Sequence, residues 1–133
     1  MKELYIPSSD GKNQLHVVIW EPNITVIGIV QISHGMIEYI KRYDEFARYL
    51  NQYGILVIGN DHLGHGETAK IDDDLGYFCP SNMSETVVAD LYEVTRFAKK
   101  NVSIIFFVGL TLPRYSFSKP SASLDRNLRQ CLW

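Results

Sequence analysis

Two short stretches hold the side chains able to do chemistry. The first is Ser33-His34-Gly35-Met36, directly after the apolar run Ile24–Ser33. A glycine there lets the backbone turn sharply with its N–H groups exposed, and such groups can stabilise an oxyanion by pointing at the place where negative charge develops. A plain structural turn is the competing reading. The second is Asn60-Asp-His-Leu-Gly-His-Gly-Glu-Thr68, which follows the apolar run Ile55–Gly59. Its Asp61, His62 and His65 offer O and N ligands in the pattern of a metal site. The competing reading is a polar loop tied by Asp and His hydrogen bonds, with Gly64 and Gly66 making an irregular turn. No third, distant ligand stands out, so no metal or cofactor is expected. The Gly-x-Gly here lacks the G-x-G-x-x-G spacing of a dinucleotide site.

These loops are positioned by a regular alternation of elements. Leu15–Trp20 reads as a strand, paired with the short segment Glu3–Pro7 across the turn Ser9–Gly11. Ile24–Ser33, Ile55–Asp61 and Val102–Gly109 are near-continuous apolar runs, the pattern of strands buried on both faces of a parallel sheet. Tyr43–Gly54 reads as a helix with Phe46, Ala47, Leu50 and Tyr53 on one face, stopped by Gly54. Ser84–Lys100 reads as a long amphipathic helix, with Ser84 as N-cap, Glu85 at the positive end and Lys99 and Lys100 at the negative end. Strand, helix, strand, loop, helix, strand means an α/β fold with a parallel sheet and flanking helices. Both loops leave the carboxyl ends of strands, where open α/β sheets place their sites.

Composition narrows the classes. A chain of 133 residues with a formal charge of −2 argues against nucleic acid as the main partner. Cys79 and Cys131 suit neither a disulfide framework nor a CxxC metal site. The start lacks the apolar run of a signal peptide, which predicts a cytoplasmic protein and leaves peripheral membrane contact open. The triplets at Asn23, Asn82 and Asn101 are then chance matches to a glycosylation signal.

Taken together and in register, the two loops carry more than either alone. His34, Gly35, Glu38, Arg42, Tyr43, Phe46, Ala47, Leu50, Gly54, Asp61, Gly64, His65 and Gly66 fall where the α/β hydrolases around monoacylglycerol lipase, bacterial lysophospholipases and serine aminopeptidase-like enzymes have their motifs. Thr68 stands where that group usually has Ser, and Gly76-Tyr-Phe78 also matches. The chain resembles this family from Leu15 to Gly109. The resemblance implies a serine hydrolase of carboxylic esters, acting through an acyl-enzyme on an acylglycerol- or lysophospholipid-like substrate. It implies that the backbone N–H of Met36 is one oxyanion donor, with His34 and Gly35 shaping the turn. It implies the sheet order 1-2-4-3-5-6-7-8, which would put the Val102–Gly109 strand inside a sheet with a neighbour on each side.

In that family the strand ending at Gly109 runs into a Gly-x-Ser-x-Gly elbow that bears the nucleophile. Here Gly109 is followed by Leu-Thr-Leu-Pro, and no Gly-x-Ser-x-Gly occurs among the 133 residues. Residues 1–109 therefore read as the N-terminal part of a hydrolase domain, and 110–133 as an unrelated segment. That segment carries a charge of +3 against −5 for the rest, crowds four serines between Tyr115 and Leu124, and keeps no period of 2 or 3.6. It reads as a disordered tail, a tail with its own purpose, or the product of a frame change. Thr111–Arg114 can be encoded ACA CTC CCT AGG; read one base later, with the T of the Tyr115 codon, this gives His-Ser-Leu-Gly. No catalytic residue is expected in the chain, and hydrolysis is expected to be absent. A regulatory or binding product using the basic tail is the alternative. Ile104–Val108, uncharged and free of proline, is expected to drive self-association if its edge is exposed.

Overall fold

The computed structural model describes residues 1–70, 75–76, 83–99 and 105–109. The segment 110–133, Cys79 and Phe78 lie outside the described residues. Seven main elements follow in order: β1 (Lys2–Pro7), β2 (Gln14–Trp20), β3 (Gly28–Ser33), α1 (Asp44–Asn51), β4 (Ile55–Asn60), α2 (Met83–Ala98) and β5 (Ile105–Gly109). Short 3-10 turns at Ile40–Tyr43 and Gly66–Thr68 lie in the two loops.

The five strands form one sheet in the order β1-β2-β4-β3-β5. The pairs β3–β4 and β3–β5 are parallel. The hairpin β1–β2 and the pair β2–β4 are antiparallel, so the sheet is mixed rather than wholly parallel. The order matches the first five strands of the expected one. The expected pairing of Leu15–Trp20 with the N-terminal segment is also present, joining Lys2 to Ile19 and Pro7 to Gln14.

Alternation along the strands divides the core into two layers. Leu15, Val17 and Ile19 of β2, Ile29 of β3 and Ile58 of β4 face α2, where Val94 completes the cluster. Val18, Trp20, Val30, Ile32 and Val57 face the other way, against Ile40 and Ala47 of the α1 side. Gln31 is fully buried on the α2 side because its amide is satisfied there: Nε2 donates to the Leu91 carbonyl at 2.9 Å, and Oε1 accepts from the Thr95 hydroxyl at 2.8 Å.

Three expectations need correction. In α1, Ala47 is buried and Leu50 packs on the core, but Phe46 and Tyr53 are exposed at 41% and 55%. The short helix presents only the Tyr43, Ala47, Leu50 stripe to the sheet, a narrower face than the four residues predicted. Secondly, β3 begins at Gly28, so Ile24 and Ile27 of the apolar run lie outside the strand and are exposed. There Ile27 N–H bonds the carbonyl of Gly54, whose φ of +76° follows the end of α1. Thirdly, α2 starts at Met83, which places Ser84 within the helix and not at its cap.

Candidate active site and family

β3 and β4 end side by side, with Ser33 opposite Asn60, and β5 lies on the other flank of β3, with Ser33 opposite Gly109. The parallel registry thus brings the turn after β3, the loop after β4 and the end of β5 to one edge of the sheet. Of the residues singled out in the sequence, His34, Gly35, Met36, Asp61, Gly64, His65 and Gly66 belong to these two loops, and Gly109 lies next to their start.

His34 is fully buried, and both of its ring nitrogens are engaged. Nε2 accepts the backbone N–H of His62 at 3.0 Å, which puts the ring proton on Nδ1. Nδ1 then donates to the Gly35 carbonyl at 2.8 Å, and the N–H of Glu38 donates to the same oxygen at 3.2 Å. Because a peptide unit is planar and trans, pinning the Gly35 carbonyl directs the Met36 N–H to the opposite side. The next peptide is held as well, since His65 Nε2 lies 2.5 Å from the Met36 carbonyl. Burial holds the His34 imidazole below its ordinary pKa, so this bonding pattern is that of the neutral ring.

A carboxylate fixes the turn from the other end. Glu38 Oε2 accepts the Gly35 N–H at 3.2 Å and the Tyr43 hydroxyl, and Arg42 stands 3.8 Å from Oε1. The Tyr43 hydroxyl, followed by the Gly35 N–H, lowers the Glu38 carboxyl below its usual range. Burial, reinforced by the Glu38 charge, raises the Tyr43 phenol to about 12, so it remains a donor. Glu38, with Arg42 and Tyr43 beside it, therefore acts on the geometry of Gly35.

The second loop is organised around Asp61, whose carboxylate is buried. Oδ1 accepts the N–H of Ile40 at 2.7 Å. Oδ2 accepts the N–H of Glu67 at 2.9 Å and faces His16 Nδ1 at 2.8 Å. Its own carbonyl accepts the Thr68 hydroxyl at 2.8 Å, while Thr68 Oγ1 accepts the N–H of His16 at 2.8 Å. A hydroxyl is all this position needs, which is why Thr68 serves where Ser is usual. Gly66 is required by contact as well as by its φ of +47°, since a Cβ there would stand 2.3 Å from the Asp61 carboxylate. Gly64 accepts the N–H of Gly76 at 2.7 Å, which draws the Leu75-Gly76 turn onto the loop.

Asp61, His62 and His65 do not converge as ligands. Asp61 binds backbone N–H groups and His16, His62 Nε2 lies 3.1 Å from the Ser33 hydroxyl, and His65 faces the carbonyls of Leu63 and Met36. Burial, with His34 and His65 alongside, holds the His62 imidazole down to about 3. The polar-loop reading of this segment is the one that the hydrogen bonds support. What the sequence reading missed is His16, which sits in β2, some 45 residues before Asp61, and looks like a core position of a strand.

The assembly is a hydrogen-bonded turn that starts beside the end of β5, with exposed apolar side chains nearby in the chain. Ile37, next to Met36, is 94% exposed, and Tyr39 and Leu75 are about half exposed. Among the described residues, no helix is long and apolar enough to cross a membrane.

Comparison with known proteins agrees with this arrangement. The family described as serine aminopeptidase, S33, matches residues 25–109. Monoglyceride lipase of Rattus norvegicus is 36% identical over 64 residues, which are 48% of this chain and 21% of the lipase. Protein K6 of Vaccinia virus is 42% identical over 60 residues, covering 42% of this chain and 74% of that protein. The solved carboxyl esterase of Bacillus coagulans superposes with a TM-score of 0.72 at 28% identity, over 80% of this chain and 34% of the esterase. The chain thus matches about a fifth of the length of the rat lipase and most of the length of Protein K6. With the motif residues in register, the sheet order of the fold and a family match ending at Gly109, the chain belongs to the serine aminopeptidase (S33) family of α/β hydrolases.

Proposed function

We propose that this chain is the N-terminal, oxyanion-side part of a monoacylglycerol lipase-like ester hydrolase and does not hydrolyse esters by itself. The observation behind the reading is the Ser33–Gly109 registry, which sets the end of β5 beside the start of the turn that carries Met36, a turn held by the His34 and His65 bonds to the Gly35 and Met36 carbonyls. A tetrahedral intermediate at that point would place its oxyanion on the Met36 N–H, with a second donor from the residue after a nucleophile. The residues after Gly109 supply no Gly-x-Ser-x-Gly, and an unactivated serine hydroxyl is a weak nucleophile. The exposed Ile37 beside the donor fits the acyl chain of an acylglycerol-type ester. Cytoplasmic placement with peripheral contact to lipid, and self-association through the edge of β5, belong to the same reading; concentration-dependent light scattering tests the latter.

A chimera tests the scaffold. Residues 1–109 are joined to the part of rat monoglyceride lipase that begins just after the first glycine of its elbow. Hydrolysis of a monoacylglycerol is expected, and Met36→Pro in that chimera should lower kcat by about 10²–10³, the usual effect of losing one oxyanion donor. A folded chimera that turns over monoacylglycerol equally well with Pro at position 36 would overturn the assignment of Met36. A folded chimera without any activity would overturn the reading of the scaffold.

The non-catalytic alternative has one observation in its favour: the match to Protein K6 covers 74% of that relative's length. A regulatory or binding role for the basic segment 110–133 would show as stoichiometric capture of a full-length hydrolase, lost when that segment is removed.

A further inference from the structure

On the far side of His16 from Asp61, two more carboxylates converge. We propose that Glu3, His16 and Glu67 form a binding site for a divalent transition-metal ion, zinc fitting best, with Asp61 orienting the histidine from behind.

The Asp61 carboxylate accepts two backbone N–H groups, from Ile40 and Glu67, so it is an acceptor toward His16 too. The ring must therefore carry a proton on Nδ1, which lies 2.8 Å from Asp61 Oδ2. This leaves Nε2 facing the other way, 3.0 Å from Glu3 Oε2 and 3.6 Å from Glu67 Oε2. A dication taking the place of a ring proton on Nε2 would meet both of these carboxylates at once.

Geometry and donor set agree with a metal as that centre. The three ligand atoms all lie within 4.8 Å of one another. In a tetrahedral zinc site with bonds of about 2.0–2.2 Å, ligand atoms stand roughly 3.3–3.6 Å apart. The fully buried imidazole is fixed on β2, whereas Glu3 and Glu67 are partly exposed and free to close on an ion by small rotations. One neutral nitrogen and two carboxylate oxygens suit zinc, with water in the fourth position. A carboxylate behind the ligating histidine, setting its tautomer, is the usual second layer of such sites.

The cation now beside these carboxylates is Lys41. Its ammonium lies 2.9 Å from Glu3 Oε2 and 2.6 Å from Glu67 Oε1. One ammonium against Glu3, Glu67 and Asp61 leaves the cluster negative, and a dication would bring it closer to neutrality. Lys41 is a third exposed, on a flexible stem, so it can swing into water as the ion enters. The ion would tie β1, β2 and the Gly66–Thr68 turn together, away from Met36, and its role would be structural.

Zinc chloride titrated calorimetrically into the purified chain at neutral pH is the test. One ion per chain is expected, with a rise in melting temperature. Glu67→Gln and Glu3→Gln, both at partly exposed positions, should each weaken binding at least tenfold while leaving the far-UV circular dichroism spectrum unchanged. Lys41→Ala should tighten binding at least tenfold, which a zinc site elsewhere in the chain would not do. No binding to the unmodified chain at millimolar zinc would overturn the proposal. So would binding that none of the three substitutions alters.

Discussion

Asp61→Asn keeps the size of the side chain and removes its charge, and the bonds around Asp61 set the cost. Oδ1 serves Ile40 N–H, and Oδ2 serves both Glu67 N–H and His16. Asparagine has one acceptor oxygen. If that oxygen takes the Oδ2 place, the Ile40 N–H faces an NH2 group; if it takes the Oδ1 place, the other two donors do. Either pose leaves at least one buried donor unsatisfied, at about 1–3 kcal/mol, and the surviving bonds lose their charge assistance. We expect a loss of about 2–4 kcal/mol, a large part of the roughly 5–15 kcal/mol that holds a domain folded. Urea unfolding followed by the fluorescence of the buried Trp20 measures it. Glu93→Gln, which removes an exposed pair with Arg96, is the control and should cost less than about 1 kcal/mol. Equal midpoints for the two variants would refute the view that Asp61 organises both loops.

Three other outcomes are expected. Gly66→Ala should destabilise the chain clearly more than Gly11→Ala, since both have positive φ but only Gly66 has the Asp61 carboxylate 2.3 Å from the added Cβ; paired urea titrations check this. Stability should fall as pH drops from about 6.5, the ordinary histidine value, toward about 3, because His62 stays neutral when folded and takes up a proton when unfolded. Melts across that range should show a shallower fall for His62→Gln, and an identical fall would count against the burial of a neutral ring. Finally, the nucleotide sequence just after the Gly109 codon should encode His-Ser-Leu-Gly or a close variant in another frame; if no frame contains a His-Ser core there, the frame change is wrong.

The fold and half of the site were legible because their signals are local. Continuous apolar runs marked β3, β4 and β5, and His34-Gly35 and Asp61 to Gly66 are contiguous motifs, the last glycine of which is required by its contact with Asp61. What stayed hidden depends on partners distant in sequence. His16 meets Asp61 only because β2 pairs with β4, and nothing in Leu-His-Val-Val distinguishes it from a core position. The exposure of Phe46 and Tyr53 was hidden for another reason: in an eight-residue helix with aromatic residues on several sides, only the docked angle decides which stripe is buried. Ile24 and Ile27 continued an apolar run past the point where β4 offers a partner, since the registry of β3 starts at Gly28 with Ile55.

The central proposal is that the chain holds an oxyanion turn without an activated nucleophile. A fluorophosphonate probe tests it directly, because it labels only a serine that a base has activated. The purified 133-residue chain, incubated with excess probe and analysed by intact mass, is expected to show no adduct and no hydrolysis of a nitrophenyl ester above buffer. Stoichiometric labelling of one serine, abolished by its replacement with alanine, would contradict the account.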